Sequence, residues 1–382
     1  MLRRPFLLGL LCLFATSCGV PGPVVEGLPE RVDFALHVKP ILSDRCFKCH
    51  GPDGAARSSD LRLDREEQAY ATLRSGRAAI VPGKPGRSEL VTRILSDDPG
   101  VVMPTPDSHL TLTDYEKALL IRWIDQGAEW KPHWAFSAPV VPQVPATVAS
   151  HWTARNPIDH FVQATLKTRK LEPRPEASRE TLIRRVTLSL TGLPPTQADI
   201  DAFVADTSAN AYERVVDRLL ASPTYGERMA ADWLDLARYA DTHGYQDDVA
   251  RDMSPWRDWV IAAFNRNLRT DQFVTWQLAG DLLPNPTREM RLATAFNRHH
   301  MQSQEGGIVP EEYRVEYVAD RVQTFGRAFL GVTLECARCH DHKYDPVTQR
   351  EYFQLYAFFN NINEAGQVPY SGMPSPSLIL PS

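Results

Sequence analysis

Two copies of one five-residue pattern constrain this chain more than any other feature: Cys46-Phe47-Lys48-Cys49-His50 and Cys336-Ala337-Arg338-Cys339-His340. C-x-x-C-H is the attachment pattern of c-type haem. Thiols three residues apart reach the two vinyl groups of one haem as thioethers, and the adjacent histidine offers an imidazole nitrogen to the iron. Competing uses of the pattern fit less well. A redox-active C-x-x-C has no need of a histidine after its second cysteine in both copies. A shared zinc site wants pairs about 15–20 residues apart, and these lie far beyond that. The expectation is two covalent haems c, held by Cys46, Cys49, Cys336 and Cys339, with His50 and His340 as proximal ligands.

The remaining cysteines are Cys12 and Cys18. Both fall in a leader-like segment, residues 1–18. Arg3 and Arg4 precede an apolar run from Pro5 to Ala15, too short for a span of about 20 residues. Ala15-Thr16-Ser17-Cys18 resembles a bacterial lipobox, which would make Cys18 the lipidated mature N-terminus. The usual leucine is replaced by Ala15, so plain cleavage stands as the alternative. Residues 19–30, with Pro21, Pro23 and Pro29, read as a tether. An exported chain, in the periplasm or cell envelope and lipid-anchored, is the expectation, and no later segment is apolar enough to span a membrane. The net charge of −5 argues against nucleic acid as a partner. The expected partners are redox proteins of the envelope and the membrane itself, through the anchor.

Residues 31–130 have the layout of a small class I cytochrome c. Phe34, Val38, Ile41 and Leu42 make one apolar helical face leading into Cys46. Thr113 and Glu116 form a capping box before a helix bearing Leu119, Leu120, Trp123 and Ile124, which stops at Gly127. Met103 lies on the loop between, where a thioether would serve as sixth ligand, with His37 and His109 as competitors.

Residues 131–155 form a Pro-rich linker. From 156 to 365 the pattern is helical, with no sustained strand alternation. Ile158, Phe161, Val162 and Leu166 line one face. Further helices are expected over Thr181–Leu190, from Thr196 onward, and near Ala211–Ala221, Arg228–Tyr239, Trp256–Asn267, Thr287–Phe296 and Glu311–Phe329. Trp233, Trp256, Trp259, Phe264, Phe273, Trp276, Phe353, Tyr356 and Phe359 are the expected core. His300 is the first choice as distal ligand of the second haem, with Met301 or a five-coordinate iron as alternatives. Asp241, His243, Asp247, Asp248 and Asp252 read as loop acids and caps rather than a cation site. Residues 366–382 are a Pro/Ser-rich tail. The fold class is mainly α: a small cytochrome c domain and a larger all-α, haem-containing one.

Several longer motifs carry a family resemblance. Phe34 to Trp130 resembles the planctomycete-type cytochrome c domain, through Pro40-Ile41-Leu42, Gly51-Pro52-Asp53 after the first Cys motif, Leu61-Arg62-Leu63-Asp64, Val81-Pro82-Gly83, Met103-Pro104 and Trp123-Ile124-Asp125-Gln126-Gly127-Ala128. Asn156 to Asn361 resembles the helical domain of unknown function that follows it. The shared motifs are Leu190-Thr191-Gly192-Leu193-Pro194-Pro195, Trp233 to Asp241, Gln277 to Pro284 and Cys339-His340-Asp341-His342-Lys343-Tyr344-Asp345-Pro346. The resemblance implies exported haem proteins that support polysaccharide breakdown. Such proteins usually continue into a further domain, so a chain ending at Ser382 is expected to be a shortened or split version. The function expected is an envelope dihaem cytochrome that carries electrons. A haem enzyme with an open iron in the second domain, peroxidase-like or sugar-oxidising, is the alternative, and a surface-binding module with ancillary haem is a third reading.

Overall fold

The computed structural model describes residues 22–54, 57, 60–146, 152–370 and 374–380. Cys12 and Cys18, and with them the leader and lipid-anchor readings, lie outside the described residues. The chain divides into two compact units. The first is built from residues up to Ser137 together with a distant segment, Cys336–Gln349; the second holds Ala138–Glu335 and Arg350 onward. Regular structure among the described residues is helical, and β pairing is confined to isolated bridges such as Thr72 with Ala78. No described helix is long and apolar enough to cross a membrane.

In the first unit the helices are α1 (Lys39–Arg45), α2 (Phe47–His50), α3 (Glu66–Ala69), α4 (Glu89–Ile94) and α5 (Asp114–Asp125). A wide π turn over Phe34–Val38 precedes α1. Its cause is local: Pro40, in the first turn of α1, has no N–H to return to the preceding turn. The expected apolar face survives this break, with Phe34, Val38, Ile41 and Leu42 all buried. The Thr113 hydroxyl accepts from the Glu116 N–H at 3.2 Å, and the Glu116 carboxylate accepts from the Thr113 N–H at 2.7 Å. That capping box starts α5, which buries Leu119, Leu120, Trp123 and Ile124 against the same core. Phe34 packs on Trp130 with ring centroids 4.1 Å apart, so the two ends of this unit close on each other.

The second unit contains α6 (Pro157–Thr168), α7 (Arg179–Thr191), α8 (Gln197–Ala205), α9 (Ala211–Leu220), α10 (Pro223–Leu236), α11 (Ser254–Asn265), α12 (Thr270–Ala279), α13 (Arg288–Ala293), α14 (Pro310–Phe325) and most of α15 (Gln349–Phe359). One core lies among α7, α8 and α9, around Ile183, Phe203, Val215 and Leu219. The larger core gathers Trp256, Trp259, Phe296 and Val260, with Trp233, Phe264, Phe273 and Trp276 packed against it. Each buried indole finds an acceptor, as the polar end of tryptophan requires. Trp256 donates to the Ala293 carbonyl at 3.1 Å, and Trp233 to the fully buried Gln277 at 2.9 Å. Gly226 lets α10 and α11 cross closely: a Cβ there would lie 2.4 Å from the Ile261 carbonyl oxygen.

Three placements do not follow from the local sequence pattern. The apolar stripe of α6 is exposed rather than core: Ile158 is 71% exposed and Val162 42%, while Gln163 is the buried residue. Phe353 is 48% exposed, and its neighbour Tyr352 takes the core position. By its contacts the segment Cys336–Gln349, with the second Cys motif, groups with the first unit.

Candidate functional site

The first motif is a single helical turn continuing α1. The Cys46 N–H bonds the Leu42 carbonyl at 2.9 Å, and the His50 N–H bonds the Cys46 carbonyl at 2.9 Å. Residues at i, i+3 and i+4 share a helix face, so Cys46, Cys49 and His50 present together. Gly51 ends the turn where a side chain cannot fit, since a Cβ would meet the Phe47 carbonyl oxygen at 2.4 Å. Burial pushes the Cys46 thiol up to about 12. That is opposite to the lowered thiol of a disulfide-exchange site. The His50 ring donates to the Leu61 carbonyl, and the Leu63 N–H donates to the His50 carbonyl at 2.8 Å. Burial, opposed by that hydrogen bond, pulls the His50 pKa below its ordinary value. A neutral imidazole with one nitrogen tied to a carbonyl has its other nitrogen set for a metal.

The second motif repeats this local geometry. The Cys339 and His340 N–H groups both return to the Cys336 carbonyl, at 3.3 and 3.4 Å. The His340 ring lies 2.8 Å through Nδ1 from the Asp341 carbonyl, so Nδ1 carries the proton and Nε2 is left for a ligand. Cys336 and Cys339 are exposed free thiols. The segment is anchored within its unit by Asp345, 3.0 Å from Nε2 of His133. Asp341 also acts electrostatically on Arg62, which is paired to Asp64. Arg62 precedes the Leu63 that clamps His50. Both motifs therefore belong to one compact unit.

Met103 is half-buried, and its N–H bonds the Arg93 carbonyl at 3.1 Å, tying its loop to the end of α4. The Arg93 guanidinium in turn lowers the His50 pKa. Its rivals are placed otherwise: Nδ1 of His37 accepts from the Asp33 N–H at 2.9 Å, and His109 is exposed with a φ of 59°. An open cleft of about 460 Å³ elsewhere in this unit is lined by Lys39, Ser43, Asp44, Glu116, His133 and Tyr344, and by no residue of either Cys motif.

His300 has other work. It is fully buried in the second unit, stacked on Tyr317 at 4.6 Å. Its Nδ1 donates to the Met301 carbonyl at 2.8 Å, and its Nε2 lies 2.7 Å from Arg321 and 2.9 Å from Glu364. Burial pushes its pKa down to about 3, so the ring is neutral and Nε2 accepts from Arg321. Neither nitrogen is free for an iron, and Met301 is 48% exposed, packed over Gly244. The network around His300, with Arg298 and Arg321 both paired to the buried Glu364, was not anticipated from sequence. One signal was available: Arg321 sits four residues after Tyr317, on the buried face of α14. The loop acids act as acceptors, Asp248 for the Gly244 N–H at 2.6 Å and Asp252 for the Ser254 N–H at 3.0 Å.

Removing Glu364 strands two buried guanidinium groups. Glu364→Ala is expected to cost about 3–5 kcal/mol, read by urea denaturation. Acid acts on the same network. Glu364 is held down to about 2 and His300 to about 3. Both bind fewer protons folded than unfolded, so stability rises with pH through this range. Stability should fall as pH drops below the ordinary histidine value of 6.5 and keep falling toward 3. His300→Gln should remove the upper part of that decline, between the ordinary histidine and glutamate ranges.

Residues 46–107 match the family described as planctomycete cytochrome C. Residues 157–364, more than half of the chain, match that described as a protein of unknown function, DUF1549. No curated protein matches the chain, and no solved structure does. The chain belongs to the DUF1549 family and carries ahead of that region a cytochrome c domain, which implies covalent haem c.

Proposed function

We propose that the chain is an envelope-located dihaem c-type cytochrome that carries electrons. The observation that carries this reading is the shared design of the two Cys motifs in one unit: a single turn presenting Cys, Cys and His, with a ring nitrogen of each histidine tied to a backbone carbonyl. Bound haem would supply a one-electron iron centre at each motif. Cys46 and Cys49 would hold one haem and Cys336 and Cys339 the other. His50 and His340 would each supply an imidazole nitrogen to the iron. Met103 would offer its sulfur from the loop anchored on α4, and a Met/His ligand set raises the potential. His300 keeps a structural role in this reading. Any support of polysaccharide breakdown would run through redox partners of the envelope.

The second reading, a haem enzyme with an open iron at His340, draws on the commitment of His300 to Arg321 and Glu364. Carbon monoxide titration of the reduced protein separates the two. A carrier with filled axial positions leaves the spectrum unchanged. Rapid binding at one haem, together with peroxide turnover, would replace the carrier with the enzyme.

Envelope anchoring through Cys18 is proposed on the lipobox-like sequence and the Pro-rich tether. Cys18→Ser should move the protein from the membrane to the soluble fraction of the periplasm. Soluble wild-type protein would assign plain cleavage instead.

A further inference from the structure

The DUF1549 region holds a cluster of buried polar atoms that its own hydrogen bonds leave unserved. Nε, Nη1 and Nη2 of Arg238, Nε of Arg251, Nη1 of Arg321 and both ring nitrogens of His299 have no hydrogen-bond partner. A buried polar atom without a partner costs about 1–3 kcal/mol, so folded proteins keep few of them. Several together call for something that accepts hydrogen bonds.

These atoms belong to one neighbourhood. Arg238 lies 2.8 Å from Asp320, the residue before Arg321, and Arg321 lies 2.7 Å from Nε2 of His300, the residue after His299. Other bonds fix the framework. Arg251 donates through Nη1 to the His300 carbonyl at 2.9 Å and through Nη2 to the His299 carbonyl at 3.1 Å. Arg321 donates through Nε to the Asn297 carbonyl at 2.7 Å. His299 is wedged against Trp256 at 4.2 Å. The Arg251 and Arg321 guanidinium groups are therefore held in place by main-chain acceptors, while Nε of Arg251 and Nη1 of Arg321 stay unused.

Charge gives the sign of the missing partner. Arg238, Arg251, Arg298 and Arg321 are opposed in the interior by Glu364, which serves Arg298 and Arg321, and by Asp320, which lies 2.8 Å from Nη2 of Arg238. Asp241 and Asp248 act on Arg251 from exposed positions. Asp320 is poorly placed: its Oδ1 makes no hydrogen bond despite the short distance. Its side chain is 35% exposed, so this is where the cluster meets solvent. Burial holds the Arg238 pKa down to about 10, against the opposing charge of Asp320.

We propose that Arg238, Arg251, Arg321 and His299 form a binding site for an oxyanion group on a small molecule, and that Asp320 is an internal stand-in which that oxyanion displaces. A carboxylate or a phosphate supplies several acceptor atoms and the negative charge the cluster lacks. Carboxylate ligands and phosphate ligands share this chemistry, and the choice of probe distinguishes them. The inference is independent of the haem reading, because no residue of either Cys motif takes part.

The test is thermal unfolding of the full-length holoprotein with malonate or inorganic phosphate, against chloride at equal ionic strength. The melting temperature should rise with concentration for at least one oxyanion beyond chloride. A response to malonate alone assigns a carboxylate ligand, and one to phosphate alone a phosphate. Asp320→Asn removes the competing carboxylate and should tighten binding about tenfold. Arg238→Gln should abolish the response. Where Arg238→Gln does not fold, Asp320→Asn decides alone. No response above chloride, an equal response in Arg238→Gln, or unchanged affinity in Asp320→Asn would overturn the site and leave the cluster to water.

Discussion

Protein in which Cys336 and Cys339 are both replaced by alanine is expected to hold one haem per chain where the wild type holds two. The complementary change at Cys46 and Cys49 should remove the other. In the proposed reading each pair attaches one cofactor covalently, so the effect is stepwise, and a pyridine haemochrome assay against protein mass reads it. The two losses should differ in their wider consequences. Cys46 is packed against the core of the first unit, so haem there would complete a buried core. Cys336 and Cys339 are exposed, so loss of the second haem should disturb stability less. A Cys336→Ala/Cys339→Ala protein that keeps its full haem content would show that this motif attaches nothing.

Met103→Ala is the second change with a large expected effect. Met103 sits on a loop whose main chain is tied to Arg93 at 3.1 Å, and the Arg93 side chain is tied to Glu89 at 3.0 Å. Removing the thioether leaves that scaffold intact, so the change should act on the iron and not on the fold. The weak sulfur-to-iron band of the oxidised protein should vanish. The potential of that haem should fall, since the Met/His set is the higher-potential one. The reduced variant should take up one further equivalent of carbon monoxide per chain. An unchanged band and potential would move the ligand to a histidine. His37 would then have to release the Asp33 N–H, whereas His109 is already exposed.

The local parts of this molecule are legible in its sequence. The C-x-x-C-H spacing implies a helical turn with Cys, Cys and His on one face, and both copies have that form. Thr113 with Glu116, and Thr196 with Asp199, each start a helix through a capping box, because the bonds concerned span three residues. What sequence could not supply depends on distant segments. The α6 stripe has helical periodicity, yet Ile158 and Val162 find no cover among the described residues. Periodicity reports an amphipathic helix without naming its partner. The assignment of Cys336–Gln349 to the first unit rests on contacts such as Asp345 with His133, which no local pattern encodes. His300 has the same history. Its position before the second motif suggested a ligand, but Glu364, far along the chain, takes part in occupying it.

The intact mass of the mature wild-type protein, denatured to strip everything not covalently bound, tests the central claim most directly. The account predicts the mass of the polypeptide plus two haems, with one haem on the peptide containing Cys46 and Cys49 and one on the peptide containing Cys336 and Cys339. A mass showing one haem or none, in protein made with the haem-attachment machinery, would contradict it.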